Sequence, residues 1–195
     1  MKIPPKVKKI WDIASTVVVI LFVLAAIFLL GSRLLGYKVY TVISGSMEPV
    51  YNVGDLVYVK EVDVREIKAG DDITFVLNDS KTVATHRVYR VDKNVKGLYF
   101  TTYGVNNLSE EAREALKNGR ELKSTDLDTP VWEKNVQGVV QFRIPLLGYV
   151  SDFIGHPPGT WVAIGGVAVL IILAFLPDIL GAFDNKKKPE ENEEA

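Results

Sequence analysis

Cysteine is absent from the 195 residues, so neither disulfides nor thiolate-based zinc sites can hold this chain together. Histidine is almost absent: there are two, His86 and His156, and no spacing of His, Asp and Glu resembles a metal site. An excess of charge of either sign is missing as well. The 23 basic and 24 acidic residues leave a formal net charge of −1, which speaks against a nucleic-acid-binding surface. No stretch repeats, which excludes solenoids and propellers.

Charge is also missing locally, and there its absence is informative. Between Ile13 and Ser32 no residue is charged; at ~1.5 Å per residue a helix over that run covers a bilayer's hydrocarbon core of roughly 30 Å. A second uncharged run extends from Phe153 to Pro177. Two membrane helices are therefore expected. A cleavable signal peptide is the rival reading of the first, but its apolar core exceeds the ~7–15 residues usual for such peptides. Arg33-Leu34-Leu35-Gly36 is also a poor small-residue cleavage site, so a retained anchor is expected. Lys2, Lys6, Lys8 and Lys9 precede the first run and Lys186, Lys187 and Lys188 follow the second, which places both termini in the cytoplasm and the middle outside. Trp11 and Trp161 fall at span ends, where aromatic rings favour the headgroup region.

The expected organisation is a cytoplasmic basic segment (1–12), a transmembrane helix (13–35), an extracytoplasmic domain (36–152), a juxtamembrane link with a second transmembrane helix (153–183), and a charged cytoplasmic tail (184–195). The central domain breaks at Gly, Asn and Asp into the β-rich pieces YKVYTVI, DLVYVKEV, DITFVL, TVATHRVYRV, GLYFTTY and VQGVVQFRI. A hairpin turn is expected at VLNDSK. The fold class is thus mainly β, with two flanking transmembrane α-helices. One piece differs: LSEEAREALKNG carries helix formers, a capping Ser109, acidic residues in the first turn and Gly119 at the end. It predicts a small helical insertion within 108–126, and its narrow apolar face reads as a surface excursion.

Just beyond the first apolar run stands VISGSMEPVYNVGD. A serine hydroxyl is a weak nucleophile at neutral pH and needs a positioned base. A Ser-Gly-Ser step can hold one hydroxyl outward while its neighbour's hydroxyl and backbone N–H face the same small volume, an arrangement that suits an oxyanion. On the residues alone such a step is more often a turn than a nucleophile, and His86, inside a strand pattern, reads as a packed or exposed side chain.

The motifs SGSMEPVYNVGDLVYV, ATHRVYRV, FTTYGVNN and VQGVVQFRIPLLGYV, in this order after an apolar run, resemble the type I signal peptidases. The resemblance covers roughly residues 10–155 and lies with the archaeal and endoplasmic-reticulum branch, in which histidine replaces the lysine base. It implies Ser46 as nucleophile and His86 as general base. It further implies that the Ser44 hydroxyl and the Ser46 N–H line the oxyanion hole. The family's Gly-Asp-Asn-Asn box reads Gly104-Val105-Asn106-Asn107 here, and Val105 supplies no carboxylate. Downstream, in STDLDTPVW, Asp128 is the first choice for an acid that orients His86, with Asp126 as the alternative; both read otherwise as turn acids. Asp71 and Asp72 read as turn residues, His156 as interfacial, and Lys81, the rival base, as a hydrated turn lysine.

Implied with the family are secretory preproteins as substrates, with small residues at the first and third positions before the cut. The same resemblance implies the lipid bilayer and the protein translocation channel as partners, no cofactor, and a multi-pass place in the cell membrane. Ile43, Met47 and Val88 are candidate pocket walls. Two other readings stand beside this one: a non-catalytic membrane-anchored β-module within a processing complex, and a related serine protease acting on other membrane-tethered substrates.

Overall fold

The computed structural model describes residues 5–77 and 82–185. Lys81 and most of the hairpin expected at VLNDSK lie outside the described residues, as does most of the charged tail. The chain divides into two compact units: one is 32–152, and the other combines the segments up to Gly31 and from Phe153 onward.

The central unit is built on one seven-stranded sheet: β1 (Tyr37–Thr41), β2 (Leu56–Lys60), β3 (Asp72–Val76), β4 (Val83–Asn94), β5 (Gly97–Tyr103), β6 (Val131–Trp132) and β7 (Val136–Ile144). Their spatial order is β1-β2-β7-β3-β4-β5-β6, and every neighbouring pair is antiparallel. The mainly β reading therefore holds. Six strands coincide with the β-rich pieces; β6 has only two residues, too few for alternation to reveal it.

β7 sits between β2 and β3, pairing with each along a different part of its length. Gly138 makes that possible, at φ +145°, where a Cβ would lie 2.2 Å from the carbonyl oxygen of Lys60. Only glycine tolerates both the angle and the approach. The four residues Leu56–Val59 are buried without alternation, as expected for a strand covered on both faces. Tyr58 stacks on Phe142 of β7 with ring centroids 4.5 Å apart.

The main core joins Ile67, Ile73, Phe75, Val88, Phe100 and Val131. A second cluster, Tyr103, Leu108, Ala112 and Leu122, lies under the insertion. The predicted helix forms as α2 (Glu110–Lys117), with Ser109 Oγ accepting from the Ala112 N–H at 3.2 Å. It is more than a surface excursion, because Ala112 is buried and Leu122 N–H donates to the Tyr89 hydroxyl at 3.1 Å. Ala112 is buried in the second cluster, and Ala115 and Leu116 of the same helix pack against it, partly buried.

In the other unit, helix α1 (Pro5–Leu34) begins, and α4 (Gly159–Asn185) follows α3 (Leu147–Gly155), which starts in the central unit. The expected spans fall on these elements. Among the described residues no single helix is long and apolar enough to cross a membrane; the sharply broken pair Leu147–Gly155 and Gly159–Ile172 meets both criteria together.

Candidate active site

Ser46 follows β1 by a few residues, in a turn that Met47 anchors at 2% exposure. The chain leaves β1 still paired, with Val42 N–H donating to Asp55 O at 2.9 Å and Gly54 N–H to Val42 O at 2.9 Å. It then coils so that Val50 and Tyr51 N–H both donate to the Met47 carbonyl, at 2.9 and 3.1 Å. Beneath this turn Asp55 is 1% exposed. It accepts from the N–H groups of Asn52, at 2.9 Å, and Leu146, at 3.3 Å, and from the Arg143 guanidinium. Burial alone pushes the Asp55 carboxyl up, but these donors together hold it below the usual carboxylate range.

His86 lies in β4 opposite Ile73 of β3, with its ring edge-on to Phe75 at 6.2 Å. Its Nε2 is 3.2 Å from Ser46 Oγ and its Nδ1 2.6 Å from Asp128 Oδ2. An ionised carboxylate only accepts hydrogen bonds, so Nδ1 carries the hydrogen, and in the neutral ring Nε2 is left as acceptor for the serine hydroxyl. The side chain is 15% exposed, enough to be reached from outside and little enough to be fixed.

Asp128 is held from two sides. Its N–H donates to Thr102 O at 2.8 Å, and the Thr102 hydroxyl donates to the same Oδ2 that faces His86, at 2.7 Å. Burial pushes its carboxyl up, yet the hydrogen bonds from His86 and Thr102 outweigh that and leave it below the usual range. The structure thus brings Ser46, His86 and Asp128 together. Asp126 closes a 3-10 turn, Ser124–Asp126, and among the described residues makes no hydrogen bond to His86. Ser44 Oγ is 3.5 Å from Ser46 Oγ, on the exposed side. His156 falls in the other unit. No group among the described residues could hold a metal ion.

One network was not visible in the sequence. Asp71 is the turn residue expected, accepting from Lys68 N–H at 2.8 Å, but Asp72 is not. It opens β3, receives both Nε and a terminal nitrogen of Arg87 at 2.7 and 2.9 Å, and accepts the Tyr51 hydroxyl at 2.8 Å. Burial, then the Asp72 carboxylate, pushes the Tyr51 phenol up, so it stays a donor. Tyr51 ends the turn that carries Ser46, and Arg87 is the residue after His86, so Asp72 fixes the two halves of the constellation against each other. The alternation of β4 was the available signal, because it turns Arg87 to the face opposite His86.

A groove of about 540 Å³ runs past the site, lined by Tyr40 to Ser44 on one side and Thr82 to His86 on the other. Both walls offer backbone. β1 is an edge strand, and β5 pairs with β4 only from Arg87 onward, so residues 83–86 are laddered to β3 alone. Ile43 and Met47 line this groove as expected. Val88 does not; it is 1% exposed and belongs to the core, since its side chain points into the packed face of the sheet.

Comparison with known proteins gives three informative likenesses. The chain is 45% identical over 78 residues to signal peptidase I W of Bacillus subtilis (strain 168), which covers 40% of each chain. It is 29% identical over 137 residues to the signal peptidase complex catalytic subunit SEC11 of Fusarium vanettenii, covering 69% of this chain and 74% of that one. The corresponding subunit of Penicillium rubens is 27% identical over 135 residues, covering 69% and 72%. The chain therefore spans less than half the length of the first relative and about three quarters of the other two. No family model matches.

Proposed function

We propose that the chain is a type I signal peptidase, on the side of the eukaryotic catalytic subunits it resembles, and from that premise derive how it acts and on what. It is a membrane-bound serine endopeptidase that removes N-terminal signal peptides from secretory preproteins. The observation that carries the reading is the continuous hydrogen-bonded line Ser46–His86–Asp128, at 3.2 and 2.6 Å.

Ser46 Oγ attacks the scissile carbonyl as His86 Nε2 takes its proton. Asp128 holds the imidazole by Nδ1 and steadies the imidazolium that forms. The oxyanion is met by the Ser46 N–H and the Ser44 hydroxyl. The proton passes from Nε2 to the leaving amine, whose bond to the carbonyl carbon breaks. A water then gives its proton to His86 as it attacks the acyl ester; the bond from the carbonyl carbon to Ser46 Oγ breaks, and His86 Nε2 returns the proton to that oxygen. The substrate lies as an added strand in the groove between the open edges of β1 and β4, with alternate side chains entering it.

Two membrane helices, in the uncharged runs 13–32 and 153–177, anchor the enzyme with both termini in the cytoplasm and 36–152 outside, and their lysine-flanked ends support this orientation. The outward-facing domain works beside the translocation channel. There the preprotein's cut site emerges.

The test is cleavage of a preprotein by the full chain in detergent or vesicles, beside labelling by a serine-reactive acylating probe. Ser46→Ala is expected to abolish both. Undiminished cleavage by that variant removes the mechanism, and absence of cleavage and labelling in the unaltered protein favours a non-catalytic module.

A further inference from the structure

The mechanism assigns nothing to the insertion 108–126, yet a side chain of α2 is hydrogen-bonded, through one intermediary, to the peptide unit that carries the nucleophile. That unit joins Gly45 to Ser46. It is planar, and in its trans form the Gly45 carbonyl and the Ser46 N–H point in opposite directions. Whatever grips the carbonyl therefore aims the N–H.

Asn106 is the grip. Its Nδ2 donates to the Gly45 carbonyl at 3.0 Å, and its backbone N–H donates to the Ser46 carbonyl at 2.8 Å. Glu48 N–H donates to the same Gly45 carbonyl at 3.1 Å. The approach is close: a Cβ at Gly104 would lie 2.9 Å from the Ser46 carbonyl oxygen and 2.6 Å from Asn107 Nδ2.

A carboxamide has a donor end and an acceptor end, and which of them faces Gly45 must be decided by something else. Arg113 decides it. One terminal nitrogen of its guanidinium lies 3.3 Å from Asn106 Oδ1 and 3.2 Å from the Asn106 carbonyl. A guanidinium only donates, so the amide oxygen faces Arg113 and the amide nitrogen faces Gly45. The other terminal nitrogen donates to Glu110 Oε1 at 3.1 Å, one turn back on α2. Buried Ala112, between the two, seats the helix.

We infer that Asn106 and Arg113 are positioning residues for the reaction, and that the insertion helix aims the Ser46 N–H at the oxyanion through them. This rests on the proposed reading, in which that N–H stabilises the tetrahedral intermediate. Among the described residues, the side-chain hydrogen bonds of Ser46 Oγ and His86 go to Ser44, Asp128 and each other, not to Asn106 or Arg113.

The experiment measures kcat and KM for preprotein cleavage by the full-length protein carrying Arg113→Ala, Arg113→Lys, Asn106→Ala or Asn106→Asp. Loss of one oxyanion donor costs about 10²–10³ in kcat; a donor only misaimed, with Glu48 N–H still in place, is expected to cost about tenfold in Arg113→Ala and Asn106→Ala. Asn106→Asp, which sets a carboxylate against the Gly45 carbonyl, should be slower still, and Arg113→Lys, which restores a cationic donor, should recover most of the rate. KM should stay within about twofold. A peptide boronate, which forms a tetrahedral adduct on serine, should weaken by the same factor as kcat, whereas a non-cleavable peptide should not. Lys123→Ala, which breaks the exposed pair with Glu111 near the same helix, should leave kcat unchanged and controls for general loosening of the insertion.

Rates for Arg113→Ala and Asn106→Ala within twofold of the unaltered enzyme, or losses confined to KM, overturn the inference while Ser46→Ala still abolishes cleavage. If Arg113→Ala loses its fold, Asn106→Ala and the isosteric Asn106→Asp decide alone. An unaltered protein that neither cleaves nor labels overturns the underlying reading instead.

Discussion

Asp128→Asn removes one charge and almost no volume, so it isolates what the carboxylate does for His86. The contact is short, 2.6 Å, and its acceptor oxygen is pinned by the Thr102 hydroxyl at 2.7 Å, so an asparagine oxygen can keep both bonds and lose only the charge. Hydrogen bonds to a charged group contribute about 1.5–3 kcal/mol. With the side chain 32% exposed, solvent screens part of this, and the lower half of the range applies. At 1.36 kcal/mol per decade that is roughly a 10- to 50-fold loss of kcat near neutral pH. The assay is single-turnover cleavage of a preprotein, so that product release does not mask the chemical step. The same substitution has a signature in stability. Because the folded carboxyl lies below its ordinary value, the stabilisation is present above about pH 3.9 and disappears as the pH falls through the folded value. The unaltered protein should therefore melt above Asp128→Asn at pH 7, and the gap should close in acid. A kcat within twofold of the unaltered enzyme, with no difference in melting temperature at pH 7, refutes the role assigned to Asp128.

Two further expectations follow from the same geometry. Asp55→Ala strands the Arg143 cation and the Asn52 and Leu146 N–H groups, and should lower unfolding free energy by roughly 3–5 kcal/mol in denaturant titration. Val105→Asp, which supplies the carboxylate that the resemblance led one to expect at this position, should not raise kcat, because Asp128 already occupies Nδ1; Val105 packs against the second cluster, so stability should fall by about 1–3 kcal/mol. A tenfold gain in rate would show that His86 lacks a partner in solution.

The strands were legible because half-buried and fully buried runs differ in alternation, and the constellation because Ser46, His86 and Asp128 each stand in a motif. Their neighbours were not legible. The wedging of β7 between β2 and β3 depends on one close backbone approach at Gly138, and a lone glycine in VQGVVQ does not name the strand it meets. Asp72 stood in a sequence rich in turn signals, and only the strand register shows it facing Arg87. Asn106 was visible as half of Asn106-Asn107, but its grip on Gly45 joins parts of the chain far apart in sequence. The narrow apolar face of α2 misled because Ala112, Ala115 and Leu116 dock on a cluster completed by Tyr103 and Leu122, which lie outside the helix.

The side of β4 that lacks a partner ends at a fixed place. β5 takes over the outer edge at Arg87, one residue past the imidazole, so an extended guest that zips along Val83 to His86 runs out of free backbone just as it reaches the reacting groups. Where such a guest stops is then dictated by main chain that every polypeptide shares, and side chains need only decide whether it enters. Under the proposed reading, a cutter built this way would measure position like a dead-ended track and serve many unrelated sequences with one setting.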